Sequence, residues 1–321
     1  MADLRPIPER QIPSRVQVGE AQRRLANLVR RTPILEVDDN AIVRGRHGAG
    51  SSRFVLKLEQ LQHSGTFKAR GASNFIASMP ISEAGVVAAS GGNHGVAVAW
   101  AARRAGHSAT VFVPTISSPT KVALLRSYGA DVHQVGDVYA ESLAASEEFV
   151  AESGATPIHA YDHSAVLAGA GTTGLEFVDQ VRGLDTILVA CGGGGLAGGI
   201  ACALGDDVDV IVCETETTNA YEAAVAAGRP VDVEVSGIAA DALGATKIGE
   251  LAWQSLSSVS ARNVVVSDDH VTEAQDHLWS EFRIVVEPSA ATTVAALRSG
   301  RYVPASGERV GILLCGANTS R

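Results

Sequence analysis

Short β-branched runs alternate with alanine-rich stretches of helical period from residue 54 to residue 315, and this rhythm constrains the fold more than any other feature. The runs lie at 54–58, 86–89, 110–113, 132–135, 186–190, 208–213, 264–266 and 310–315. Between them, 95–105, 119–128, 140–153 and 165–181 read as helices. Strands separated by helices in this way predict mostly parallel sheets covered by helices, an α/β fold. Ser117, Ser118 and Pro119 form a helix start, with a serine cap and proline in the first turn. Asp268 and Asp269 place negative charge at the start of a helix over 270–282, where the dipole favours it.

Two strand-to-helix turns are rich in glycine, and ligands bind at such carboxyl ends of strands. Cys191 is followed by Gly192, Gly193, Gly194 and Gly195, with Gly198 and Gly199 just beyond. Four consecutive glycines at a helix start gather backbone N–H groups into an anion cradle, most often for phosphate. Gly193, Gly195 and Gly198 also fit a dinucleotide-binding GxGxxG, with Glu214 after the next strand as the ribose-binding acid, so an NAD(P)-dependent dehydrogenase competes. The other turn is Ser90-Gly91-Gly92-Asn93-His94-Gly95. Its backbone nest suits a carboxylate as well as a phosphate, and the Asn93 amide can donate to a phenolate oxygen. A third segment, Ser64-Gly65-Thr66-Phe67-Lys68-Ala69-Arg70-Gly71-Ala72, sets a lysine after an aromatic residue and a buried strand. A lysine kept from water there can serve as a nucleophilic amine.

Composition narrows the functional classes. Of 321 residues, 46% are hydrophobic and 19% charged, enough apolar surface for large α/β units and too little charge for disorder. The net charge of −9 disfavours a nucleic-acid-binding surface. Cys191, Cys202, Cys213 and Cys315 form no CxxC pair and read as reduced thiols. The N-terminal MADLRPIPERQIPSR has no apolar core for a signal peptide, and no run reaches the roughly 18 apolar residues of a membrane span. A cytoplasmic location is the expectation.

Taken together and in this order, the lysine segment, the asparagine-bearing turn and the tetraglycine loop resemble the fold-type II pyridoxal-phosphate enzymes, specifically the serine/threonine dehydratase (ammonia-lyase) family, which is related to serine racemase. The resemblance runs from Arg31-Thr32-Pro33-Ile34 to Cys315-Gly316-Ala317-Asn318. It implies a tryptophan synthase β-like fold with two open, parallel-type sheets flanked by helices. Residues 1–84 and 158–321 would form a large cofactor-binding domain and 85–157 a small mobile one. Lys68 would bind pyridoxal 5′-phosphate covalently, Phe67 would pack on its ring and Asn93 would donate to its phenolic oxygen. Gly192, Gly193, Gly194 and Gly195 would hold its phosphate, and Cys315 would face the pyridine nitrogen. Ser90, Gly91, Gly92, Asn93 and His94 would surround the substrate carboxylate.

The implied reaction is elimination of water and ammonia from a β-hydroxy amino acid, with threonine, serine and 3-hydroxyaspartate all open as substrates. Racemases of this family carry a serine, as opposite-face acid/base, where this chain has Gly91, so elimination is favoured, with racemisation or β-replacement as the alternative. The family's divalent cation site would use Glu214, but its second carboxylate falls on Ala220, so no metal is assigned. Substrate preference is expected to be set around Ser64 and residues 236–249, where Ala242 replaces the more usual Gly or Ser. A regulatory domain like that of biosynthetic threonine deaminases is not expected beyond the Cys315 motif, and a homodimer is the family's usual state.

Overall fold

The computed structural model describes residues 10–43 and 52–319; residues 1–9 of the N-terminal stretch lie outside it. Ten strands form two sheets: β1 (Ile34–Val37), β2 (Arg53–Lys57), β3 (Val86–Ala89), β4 (Ala109–Val113), β5 (Asp131–Gln134), β6 (Thr156–Pro157), β7 (Thr186–Ala190), β8 (Asp209–Thr215), β9 (Arg262–Val266) and β10 (Arg309–Leu313). The larger sheet runs β1-β2-β10-β7-β8-β9 and the smaller β5-β4-β3-β6. Every pairing is parallel except β1 with β2.

The helices are α1 (Arg15–Leu25), α2 (Asp39–Ile42), α3 (Lys68–Ser78), α4 (Asn93–Ala105), α5 (Pro119–Ser127), α6 (Tyr139–Ser153), α7 (Ser164–Gln180), α8 (Gly195–Leu204), α9 (Ala220–Ala227), α10 (Ala240–Leu243), α11 (Glu250–Ser258), α12 (Asp268–Phe282) and α13 (Pro288–Arg298). All eight strands expected from the sequence form, within two residues at each end. Strands β1 and β6 lie outside the expected runs. Pro157 keeps β6 to two residues, and β1 is an edge strand with a half-exposed pattern rather than an apolar run. Ser118 caps α5 as expected, whereas α12 is capped by Ser267, one residue before the two aspartates that occupy its first turn.

Strand β7 is buried at every position because helices cover both faces of the sheet. Small residues let those helices come close. An added Cβ at Gly171 of α7 would fall 2.3 Å from the Gly199 carbonyl of α8, so the two helices meet backbone to backbone. The carboxyl end of β7 therefore sits beside the start of α8, and the tetraglycine turn lies between them. No helix among the described residues is long and apolar enough to cross a membrane.

Candidate active site

Lys68 opens α3, and the end of β10 fixes the turn that presents it. Phe67 N–H donates to the Cys315 carbonyl at 3.0 Å, and Ala317 N–H donates to the Gly65 carbonyl at 3.0 Å. Asn318 Nδ2 donates to the Ser64 carbonyl at 2.9 Å. Ser64 itself holds a left-handed φ of 59°, a strained conformation for a non-glycine residue that clusters at functional sites. These bonds bring Lys68 and Cys315 to one place although they are far apart in sequence.

A second device holds α3 from behind. Arg70 is buried and forms a two-pronged ion pair with Glu59, at 2.9 and 2.6 Å, and a further contact with Glu176 at 3.0 Å. Glu176 also receives Lys57 Nζ at 2.5 Å and Thr32 N–H at 2.9 Å. The set contains two cations and two anions, so its charges balance away from water.

The Lys68 amine donates to the Ala160 carbonyl at 2.7 Å and sits 5.2 Å from the centre of the Phe67 ring. Burial lowers its pKa to about 8, against the opposing pull of nearby Cys315 and Glu287. At neutral pH the amine is therefore uncharged far more often than that of an ordinary lysine. Burial pushes the Cys315 thiol up, so it stays protonated.

Facing the amine is the tetraglycine turn. Gly194 adopts a left-handed φ of 82° at the start of α8, where an added Cβ would fall 2.6 Å from Ala252 Cβ. An added Cβ at Gly192 would fall 2.8 Å from Leu243 Cα, and one at Gly193 2.4 Å from the Tyr161 ring. Glycine is thus required by contact at these positions, and the helix start behind them supplies positive potential.

One pocket is lined by Phe67, Lys68, Asn93, Gly192, Gly193, Gly194, Gly195 and Cys315. All eight residues expected around the cofactor therefore come together. Ser90, Gly91 and Gly92 form the turn from β3 into α4, with Gly92 beneath the Asp241 carbonyl of α10. Lys121 of α5 pairs with the Asp241 side chain across the same opening. His94 donates Nε2–H to the Ile158 carbonyl at 2.8 Å, and burial lowers its pKa to about 3, so the ring is neutral.

Several site residues lie outside the expected set. Glu287, Ser289, Tyr161 and Leu243 line the same pocket. Glu287 is buried and accepts from Asn93 Nδ2 at 2.8 Å, Ser289 Oγ at 2.7 Å and Asn318 N–H at 3.2 Å. Its carboxyl is raised, chiefly by burial. The available signal was an acid at the end of Ile284-Val285-Val286, directly before the proline that opens α13.

Glu214 stands near the end of β8. It is fully buried, and its two oxygens accept the backbone N–H groups of Tyr221 at 2.7 Å and Glu222 at 2.9 Å, closing the start of α9. With no surface exposed, it leaves no room for a ribose hydroxyl. Among the described residues no three of His, Cys, Asp and Glu are grouped to hold a metal ion.

A phosphorylated aldehyde fits this residue set. The amine can bind a carbonyl covalently, and the side-chain-free cradle at a helix start can hold a phosphate. Ser64 Oγ, in the turn that carries Lys68, is buried with no hydrogen-bond partner, a cost that a bound polar group would remove.

Comparison with known proteins agrees. Residues 25–316 match the family described as pyridoxal-phosphate dependent enzyme. A phenylserine dehydratase from Ralstonia pickettii is 35% identical, over 96% of this chain and 94% of the relative. An L-threonine ammonia-lyase from Thermotoga maritima is 33% identical, over 94% of this chain and 74% of the relative. The structure of maize serine racemase superposes with a TM-score of 0.87 at 30% identity, covering 96% of this chain and 94% of the other. The match disposes of the dehydrogenase reading of Gly193, Gly195 and Gly198: the chain belongs to the family of pyridoxal-phosphate dependent enzymes.

Proposed function

We propose that this protein is an ammonia-lyase that converts a β-hydroxy-α-amino acid into a 2-keto acid and ammonia. The observation that carries the reading is the Lys68 amine, held at a pKa of about 8 between the tetraglycine turn and Cys315. Pyridoxal 5′-phosphate, when bound, supplies the electron sink that makes the substrate α-proton acidic. Lys68 would hold it, with Gly192 to Gly195 on its phosphate, Asn93 on its phenolic oxygen, Phe67 against its ring and Cys315 by the pyridine nitrogen.

The protein's own residues do the rest. The Ser90–Asn93 turn and the start of α4 receive the substrate carboxylate. Lys68 Nζ takes the proton from the α-carbon as general base. The β-carbon loses its hydroxyl with a proton, as water, and the enamine left behind tautomerises and hydrolyses to keto acid and ammonia. A neutral Cys315 cannot keep a pyridine nitrogen charged as an aspartate would, which favours prompt loss of the β-substituent. Lys68→Ala should lose both the visible absorbance of a lysine-bound cofactor and keto-acid release. Survival of either overturns the assignment.

Racemisation is the second reading, favoured by the likeness to maize serine racemase. Gly91 offers no side chain from which to deliver a proton to the opposite face. An added Cβ there would lie 3.3 Å from Val113 Cγ1 and 3.4 Å from Ser117 Oγ. Chiral chromatography of recovered substrate checks this: enantiomer formation matching the keto-acid rate would favour the racemase. We further infer a cytoplasmic homodimer. Its smaller sheet, within 85–157, would move as a unit against 1–84 and 158–321 to close over substrate; size-exclusion chromatography with light scattering tests the dimer.

A further inference from the structure

A groove of about 380 Å³ lies beside the Lys68 pocket, between α6 and the chain that follows β6. Its apolar wall is built from Val87 of β3, Tyr139, Leu143 and Val150 of α6, and Pro157 and Ile158. Leu143 and Val150 are seven residues apart, two helical turns, and so share one face of α6. Three residues join the groove to the reacting centre. Ala160 lines it and accepts the hydrogen bond from Lys68 Nζ at 2.7 Å. Tyr161 borders both the groove and the Lys68 pocket. His94, also in the wall, directly follows Asn93.

We propose that this groove seats the β-substituent of the substrate, and that the substituent is a large apolar group, an aryl ring. The inference rests on the lyase reading above and names its substrate class. Size is the first argument. The groove falls within the range of pockets that enclose whole ligands, roughly 300–1,000 Å³, and the methyl group of threonine would leave most of it to water. Burying one methyl is worth only about 0.8 kcal/mol, whereas an aromatic ring offers several times that area.

Charge is the second argument. Among the described residues no lysine or arginine lines the groove, and its one acid is Glu147. His94 is neutral, since burial lowers its pKa to about 3. A substrate carrying a second carboxylate would meet no lysine or arginine there and one like charge, which disfavours 3-hydroxyaspartate. Shape is the third. His159 and Tyr161 stand edge to face at 4.8 Å, and with Tyr139 they offer ring surfaces to a ring.

The test is kcat/KM of the cofactor-loaded full-length protein on 3-phenylserine, threonine, serine and 3-hydroxyaspartate. Phenylserine should exceed threonine by about tenfold or more, and 3-hydroxyaspartate should be the poorest. Leu143→Arg, at a position 36% exposed, should lower the phenylserine-to-serine ratio about tenfold. Calorimetric titration with 3-phenylpropionate and butyrate, which have no amine to react, gives an independent reading on the wild-type protein. The aryl acid should bind about tenfold tighter. If threonine or serine matches phenylserine, or the two acids bind equally, or a folded Leu143→Arg leaves the ratio unmoved, the aryl proposal falls while the lyase reading stands. Keto acid from none of the four overturns both.

Discussion

Replacing Glu176 by Gln should cost about 3–5 kcal/mol of folding stability, because it strands buried cations. Lys57 and Arg70 have side chains 0% and 2% exposed, and both contact this carboxylate. Without it the set holds two cations against Glu59 alone, a net positive charge shut away from water. The glutamine can still accept the Thr32 N–H, but an NH₂ group turned toward Arg70 sets donor against donor. For a chain of this size the loss corresponds to a fall in thermal midpoint of roughly 5–15 °C.

The comparison is Lys247→Ala, which breaks a pair with Asp232 whose side chains are 44% and 77% exposed. That change should cost about 1 kcal/mol or less. Scanning calorimetry of both variants provides the assay. Lys57→Met combined with Glu176→Gln should recover part of the loss, since it removes the stranded charge. The pH dependence has a definite sign. Burial opposes the Glu176 anion, but Arg70 and Lys57 outweigh it and hold its carboxyl below the usual range. Its contribution is present above the unfolded carboxylate pKa, about 4.3, and is lost as pH falls through the folded value. The deficit of the glutamine variant should therefore shrink in acid. A Glu176→Gln midpoint no lower than that of Lys247→Ala would refute the reasoning.

The remaining predictions concern Glu214 and the glycine cradle. Burial raises Glu214 to about 8, above its unfolded value, so its contribution is full below about pH 4 and is lost as pH rises toward 8. Glu214→Gln does not titrate, so the wild-type advantage in thermal midpoint over it should fall steadily between pH 5 and pH 8; a constant difference would contradict the raised pKa. Gly194→Ala, at φ 82° with its new Cβ 2.6 Å from Ala252, should cost about 1–3 kcal/mol and speed loss of cofactor on dialysis. Gly183→Ala, at φ 73° with nothing within 4 Å, should cost about 1–2 kcal/mol and leave cofactor retention unchanged. Equal retention in the two alanine variants would mean that the tetraglycine turn is a structural bend only.

Local chemistry made some of the molecule legible in sequence. A parallel sheet demands apolar residues on both faces of each strand, and 186–190 and 208–213 announce themselves for that reason. Gly192 to Gly195 stand out because four residues without side chains in succession have a local cost that only a close approach repays. Strand β1 was hidden because an edge strand with two exposed residues lacks that apolar signature.

The pairing of Arg70 with Glu59 and Glu176, and of Glu287 with Asn93, was hidden for a different reason. Each is a polar residue whose meaning depends on a partner from 11 to 194 residues away. In sequence these charges read as surface residues. They are buried only because α3, α7 and the end of β10 converge on one point, the Lys68 turn. Glu287, which acts on the lysine, and the Arg70 set, which holds its helix, are therefore products of topology, whereas the lysine and its glycines are products of local pattern. The groove along α6 belongs with the first group: Leu143 and Val150 read as ordinary helix positions until β3 and the chain after β6 close against them. The contacts that would set a substrate preference are of this long-range kind, which is why threonine, serine and 3-hydroxyaspartate stay equivalent in the sequence.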